Sequence, residues 1–194
     1  MLVQPARMEP DEILIERTLQ GELTAFEQLV ERHRGIVFRV AARIVGPDDA
    51  EDVSQDAFLR AFHRLAQYRG SATFRTWLLQ ITQNTALNSL ASARRRPSGT
   101  PSELPDPPDR DPVRQPAMEL ERRERQQRLE LKLGALRPEY RSLLVLRDLE
   151  GLSYDEIADV LEMPLGSVKG RLHRARAELI ELLRNNTYDW ELPA

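Results

Sequence analysis

The sequence predicts an all-α protein of two small helical domains joined by a proline-rich, acidic linker. Three observations point to it. Apolar residues recur at helical spacing on both sides of the linker, and no alternating strand pattern appears anywhere. Seven of the thirteen prolines crowd into 97–116. Near the C-terminus a short capped helix, a Gly-containing turn and a longer basic helix follow one another, which is the sequence form of a helix-turn-helix.

Residues 11–20 form a short first helix that ends near Gly21. Thr24 and Glu27 have the spacing of a capping box for the second helix. Phe26, Leu29, Val30, Val37, Val40, Ala41 and Ile44 then recur along it, and Gly46-Pro47 stops it. Asp48 is placed to cap the third helix, whose stripe runs Ala50, Val53, Ala57, Phe58, Ala61, Phe62 and Leu65. Tyr68-Arg69-Gly70-Ser71 reads as a loop, followed by a helix from about 73 to 93.

The prolines at 97, 101, 105, 107, 108, 112 and 116, with Glu103, Asp106, Asp109 and Asp111 among them, cannot continue a helix and supply too little apolar surface for a core. This divides the chain into domains at 1–96 and 118–194 with a linker at 97–117, long enough to stretch about 70 Å at ~3.4 Å per residue. Beyond it, 118–134 is charged and helical. Arg137-Pro138 opens a helix that ends near Gly151. Ser153 and Glu156 make a capping box, bracketed by Leu152 and Ile157 as a hydrophobic staple, and the capped helix is expected to run through Glu162. Met163-Pro164-Leu165-Gly166 then turns the chain into a last helix from about 167 to 183.

Composition narrows the function. The chain has 194 residues, no cysteine and a net charge of −3. No disulfide framework or thiolate metal site is possible. No run approaches the roughly 20 apolar residues of a membrane span, and the first ten residues lack the apolar stretch of a secretory signal, so a cytoplasmic protein is expected. The net charge argues against nucleic-acid binding until its distribution is considered. Residues 71–96 carry Arg75, Arg94, Arg95 and Arg96 and no acid; 163–176 carry Lys169, Arg171, Arg174 and Arg176 and no acid; 48–56 carry five acids and no base. Two basic surfaces and one acidic surface suggest more than one kind of partner.

In the last helix, at about 100° per residue, Val168, Leu172, Ala175 and Leu179 form the core-facing stripe. The opposite face centres on Gly170, His173 and Arg174, flanked by Ser167 and Lys169, with Arg171 and Arg176 at the margins. Gly170 costs about 1 kcal/mol of helix stability relative to alanine, tolerable if a phosphate backbone or base edge approaches closely. Arg174 is placed to read guanine, and the marginal arginines to hold phosphates.

Three segments in register carry a resemblance. Residues 151–176, from Gly151 to Arg176, closely resemble region 4 of the extracytoplasmic-function (ECF) sigma factors of the sigma-70 family; 49–62 resemble their region 2.2; and 68–88 resemble their regions 2.3 and 2.4. The resemblance implies a transcription initiation factor without enzymatic activity or cofactor. It would bind core RNA polymerase (β′ and β subunits) and promoter DNA under control of an anti-sigma factor able to hold it at the membrane. It implies that Asp49, Asp52, Asp56 and Phe62 clamp the polymerase β′ coiled coil. For Asp48, Asp49, Glu51 and Asp52, favourable interaction with the helix dipole is an equally good reason to be acidic; Asp56 lies two turns in, beyond its reach. The resemblance further implies that Tyr68, Arg69, Gly70, Ser71, Phe74, Asn84 and Asn88 read the −10 element, the two amides sharing the stripe of Phe74, Trp77 and Ile81, where they face unpaired bases or an internal partner. Trp77 is expected to be core. Arg147, Ser167, Lys169, Gly170, Arg171, His173, Arg174 and Arg176 fall to the −35 element.

A helix-turn-helix regulator acting without polymerase is the alternative; it would need a dimer to read paired half-sites, and no heptad zipper is apparent. An enzyme is disfavoured. His33, His63 and His173 are scattered, no P-loop, HExxH or nucleophile elbow occurs, and the acids at 48–56 lack the glycine of a calcium loop. The tail at 185–194, with Tyr188, Trp190 and Leu192, has no assigned role.

Overall fold

The computed structural model describes residues 9–93, 129 and 131–184, and among them every regular element is helical. The N-terminal domain consists of α1 (Asp11–Leu19), α2 (Leu23–Val45), α3 (Pro47–Arg64), a 3-10 turn (Leu65–Gln67) and α4 (Phe74–Ala93). The C-terminal domain contains a helical turn at 131–135, α5 (Pro138–Leu144), a π-helical turn (Val145–Leu149), α6 (Tyr154–Val160) and α7 (Leu165–Arg184). The expected linker at 97–117, most of 118–134 and the tail at 185–194 lie outside the described residues.

Helix boundaries follow local chemistry, with three corrections. Thr24 and Glu27 do not form a capping box. α2 begins at Leu23 with Glu22 as its N-cap residue, and Thr24 Oγ1 donates to Glu22 Oε1 at 3.2 Å. Arg17 binds Glu22 (Nε to Oε2, 2.9 Å), so the Glu22 side chain ties α2 to the preceding helix and makes no capping bond to the first turn. Asp48 does not cap α3 either. Gly46 at φ 98° occupies that position, Pro47 takes the first turn, and Asp48 and Asp49 sit inside it, where their charge favours the positive end of the helix dipole. Finally, α6 stops at Val160, with Glu162 at φ 49°, and α7 starts at Leu165 rather than near 167. The Pro164 carbonyl accepts the Ser167 N–H at 2.8 Å, so the turn residues already belong to the helix. The Ser153–Glu156 capping box forms in both directions, at 3.1 and 2.8 Å, and Leu152 and Ile157 beside it are both buried.

Two apolar clusters hold the molecule. One is internal to the N-terminal domain and gathers Leu14, Leu29, Val37, Ala61, Leu65, Phe74 and Leu78 from α1, α2, α3, the 3-10 turn and α4. The other is shared. Val40, Ala41 and Ile44 of α2 and Leu79 and Ala86 of α4 pack in one continuous cluster with Leu143, Leu144, Val145 and Leu146 and, beyond them, Ile157, Val168 and Leu172. The two domains are therefore packed together. This explains α4: Phe74, Thr76, Leu78, Leu79, Ile81, Thr82, Gln83, Thr85 and Ala86 are all buried, nearly all round the helix, because neighbours cover it on both sides.

Polar contacts cross the same interface. Gln83 Nε2 donates to Ser142 Oγ at 2.6 Å, with both residues buried, and Arg141 donates to the Ile44 carbonyl. Glu150 accepts from Arg39 (Nε 3.2 Å, Nη2 2.9 Å) and from Arg43 (Nη1 2.8 Å), while its carbonyl accepts from Arg75 at 3.4 Å.

Candidate polymerase and nucleic-acid interfaces

The helix-turn-helix presents its second helix as the angular pattern requires. Val168, Leu172 and Ala175 are buried and Leu179 is half-buried; Lys169, Gly170, Arg171, His173 and Arg174 are exposed and Ser167 is half-exposed. A Cβ added at Gly170 would meet only Nη2 of Arg174, at 4.0 Å, so no contact inside the protein demands glycine there. Arg174 folds back on its own helix, Nε donating to the Gly170 carbonyl at 3.2 Å. Arg176 is held by Asp148 (Nε to Oδ2, 3.1 Å), which raises the guanidinium pKa further. Arg147 is half-buried, stacked 4.7 Å over the Tyr154 ring and donating to the Leu152 carbonyl at 2.6 Å; Lys169 Nζ lies 5.9 Å from the same ring. Tyr154 thus gathers two of the cations expected at the −35 surface.

A second surface surrounds the loop before α4. Gly70 takes φ 70°, the left-handed turn that favours glycine. Tyr68 Oη donates to the Ala72 carbonyl at 2.8 Å, and burial, reinforced by Glu12 and Asp11, pushes its pKa up, so it remains a neutral donor. Tyr68, Phe74 and Trp77 form one aromatic group with centroids 5.3 to 5.9 Å apart. Two expectations are reversed here: Phe74, expected to face bases, is buried against His33, whose Nε2 lies 2.9 Å from Asp11, and anchors the loop, while Trp77, expected in the core, remains partly open with Tyr68. Arg69, Gly70 and Ser71 are exposed. Facing this loop across two grooves stand Asp155, Glu156, Asp159 and Glu162, from α6 and the turn after it.

The amides correct the sequence reading. Asn84 and Asn88 do not lie on the buried stripe of Phe74 and Ile81; both are exposed. The buried amide is Gln83, which a stripe predicted for a helix covered on one side only does not include. Asn88 lies instead in a groove with Asp52, Asp56 and Arg60, between α3 and α4.

That groove adjoins the acidic surface. Asp49 and Asp52 are exposed, and Asp56 is half-exposed and paired with Arg60 at 2.9 Å one turn on. Phe62 is partly exposed at the other end of α3 and packs edge-on against Phe26 at 4.9 Å. Asp49 and Phe62 are separated by nearly the length of the helix, so the four residues do not converge on one pocket; the three acids share a face and Phe62 lies to one side of it. Among the described residues no group of three or more His, Cys, Asp or Glu side chains is arranged to hold a metal ion.

Comparison with known proteins matches these two domains in order. Residues 29–96 match the Sigma-70 region 2 family and 126–179 the Sigma-70 region 4 family. The chain is 35% identical over 177 residues to the ECF RNA polymerase sigma-E factor of Haemophilus influenzae, covering 88% of this chain and 93% of the relative. It is 34% identical over 172 residues to the sigma-E factor of Escherichia coli, covering 86% and 90%. The structure of CnrH in complex with the cytosolic domain of CnrY superposes with a TM-score of 0.66 at 32% identity, over 92% of this chain and all of that one. With two family matches flanking the expected linker and relatives aligned along nearly their full length, the chain belongs to the ECF sigma factors of the sigma-70 family.

Proposed function

We propose that this chain binds core RNA polymerase and directs it to particular promoters, with α7 docked in the duplex major groove at −35 and the loop 68–74 with α4 holding the melted −10 strand. The observation that supports this most is the presence on one chain of three chemically distinct surfaces: an acidic face on α3, an aromatic loop with exposed polar neighbours, and an exposed basic helix. A polymerase-independent regulator has no use for the first two.

The mechanism requires no bond to be made or broken by the protein. Unpaired bases stack on Tyr68 and Trp77 and take hydrogen bonds from Arg69, Ser71 and Asn84, so binding open strands in preference to duplex shifts the equilibrium toward melting. Gly170 lets the backbone of α7 approach DNA, Ser167, His173 and Arg174 reach base edges, and Lys169, Arg171 and Arg176 hold phosphates. Asp49, Asp52, Asp56 and Phe62 bind the polymerase coiled coil. Control falls to an anti-sigma factor that covers these surfaces; the similar chain CnrH is found in complex with a protein partner, the cytosolic domain of CnrY.

Run-off transcription with purified core polymerase and genomic fragments tests this directly. Discrete transcripts that require the protein are expected. DNA binding without transcripts, together with no retention on core polymerase, would establish the polymerase-independent regulator instead.

A further inference from the structure

Arg39 and Arg43, one turn apart on α2, and Arg75, at the start of α4, converge from the N-terminal domain on one residue of the C-terminal domain, Glu150. Its carboxylate is 4% exposed and receives three N–H bonds from the two α2 arginines. Among the described residues no other acid is within ion-pair distance of Arg39, Arg43 or Arg75. The N-terminal domain therefore carries a three-arginine cradle that it does not neutralise itself.

We propose that Arg39, Arg43 and Arg75 form a binding site for a backbone phosphate of melted promoter DNA, and that Glu150 occupies it as a carboxylate stand-in while the two domains are packed together. The proposal rests on reading the chain as a promoter-directing factor. Two planar guanidinium groups gripping one carboxylate present the donor geometry that also grips phosphate. Position selects nucleic acid as the source. Arg75 stands at the start of the helix that follows the base-reading loop, and its charge acts on Glu156 in the groove beside Tyr68, so a strand leaving that loop has the cradle within reach. The packed state also sets Asp155, Glu156, Asp159 and Glu162 opposite that loop, where they repel a phosphate chain. Domain packing and strand binding thus compete for the same arginines.

The test uses the full chain without polymerase. Glu150→Gln is compared with the double variant Arg39→Ala, Arg43→Ala, using a labelled single-stranded DNA of about 16 nucleotides as probe. Because the chain has no cysteine, Ala66→Cys and Ala177→Cys, both at exposed positions, can carry a dye pair that reports the distance between domains. Both variants are expected to lengthen that distance. Glu150→Gln is expected to tighten DNA binding several-fold. The double variant is expected to bind no tighter than the parent and to flatten the log–log salt dependence by about 0.7 for each phosphate it no longer neutralises.

Equal tightening in both variants would reduce the arginines to a latch and overturn the proposal, as would an unchanged interdomain distance in both. Run-off transcription by the parent protein is a separate readout. Its failure would remove the sigma reading, whereas its success with equal tightening would remove only the phosphate site.

Discussion

Asp56 and Arg147 show how differently two expected contact residues are held. Asp56 is half-exposed and tied only to Arg60, one turn along the same helix. Exposed pairs of this kind contribute roughly 0.3–0.5 kcal/mol, so Asp56→Ala should leave thermal stability nearly unchanged while weakening retention on core polymerase. A fall in melting temperature with core affinity intact would make it structural. Arg147 is the opposite case. Its stack on Tyr154 and its bond to the Leu152 carbonyl support the start of the helix-turn-helix, so Arg147→Ala should cost about 1–2 kcal/mol of domain stability, read by thermal unfolding. Arg174→Ala should cost no stability, because its one bond runs back to its own helix, and should relax discrimination at one base position of −35 duplex DNA. The sequence placed both arginines on the DNA side; only the position of the Tyr154 ring distinguishes them.

At the scale of single elements, the short helix α6 depends on its cap. Ser153 and Glu156 satisfy two N–H groups at the first turn, and Ser153→Ala should cost about 1 kcal/mol. The Ser153 N–H, the largest influence on it, holds the Glu156 carboxyl below its ordinary value of 4.5. A carboxyl with a depressed folded pKa contributes stability fully above the unfolded value and loses it as pH falls through the folded one. Acid unfolding of the helix-turn-helix should therefore begin below about pH 4.5 in the parent, and Glu156→Gln, which keeps an acceptor but not the charge, should flatten that dependence. This cap was legible because it is built from residues three apart. The expected cap at Thr24 did not form because α2 begins at Leu23, which puts Thr24 inside the first turn rather than ahead of it.

At the scale of the whole molecule, the interface between the domains carries an internal flaw. Gln83 donates to Ser142, yet its Oε1 is buried with no hydrogen-bond partner. A buried orphan acceptor costs about 1–3 kcal/mol, which leaves the packed state easier to open than its apolar cluster alone would suggest. Gln83→Met removes the orphan, and Ser142 Oγ keeps its bond to the Pro138 carbonyl. The variant should raise the melting temperature and lower transcription in vitro, since domains that separate less readily expose less of the promoter-reading surface. A lower melting temperature would show that the Gln83–Ser142 bond outweighs the orphan.

What the sequence determined by itself is whatever depends on neighbours in the chain. Helical periodicity set the fold class and the outward face of α7, local residue chemistry set the stop at Gly46-Pro47 and the capping box at Ser153, and the three motifs in order named the family. What tertiary structure decided is whatever depends on residues far apart in sequence. The packing of the C-terminal domain on α4 buried Gln83 and left Asn84 and Asn88 in solvent, because a helix covered on two sides has no single apolar stripe. The same packing brought Glu150 to Arg39 across more than a hundred residues of chain, a pairing no local pattern encodes, since charge and spacing along the sequence do not determine which surfaces meet.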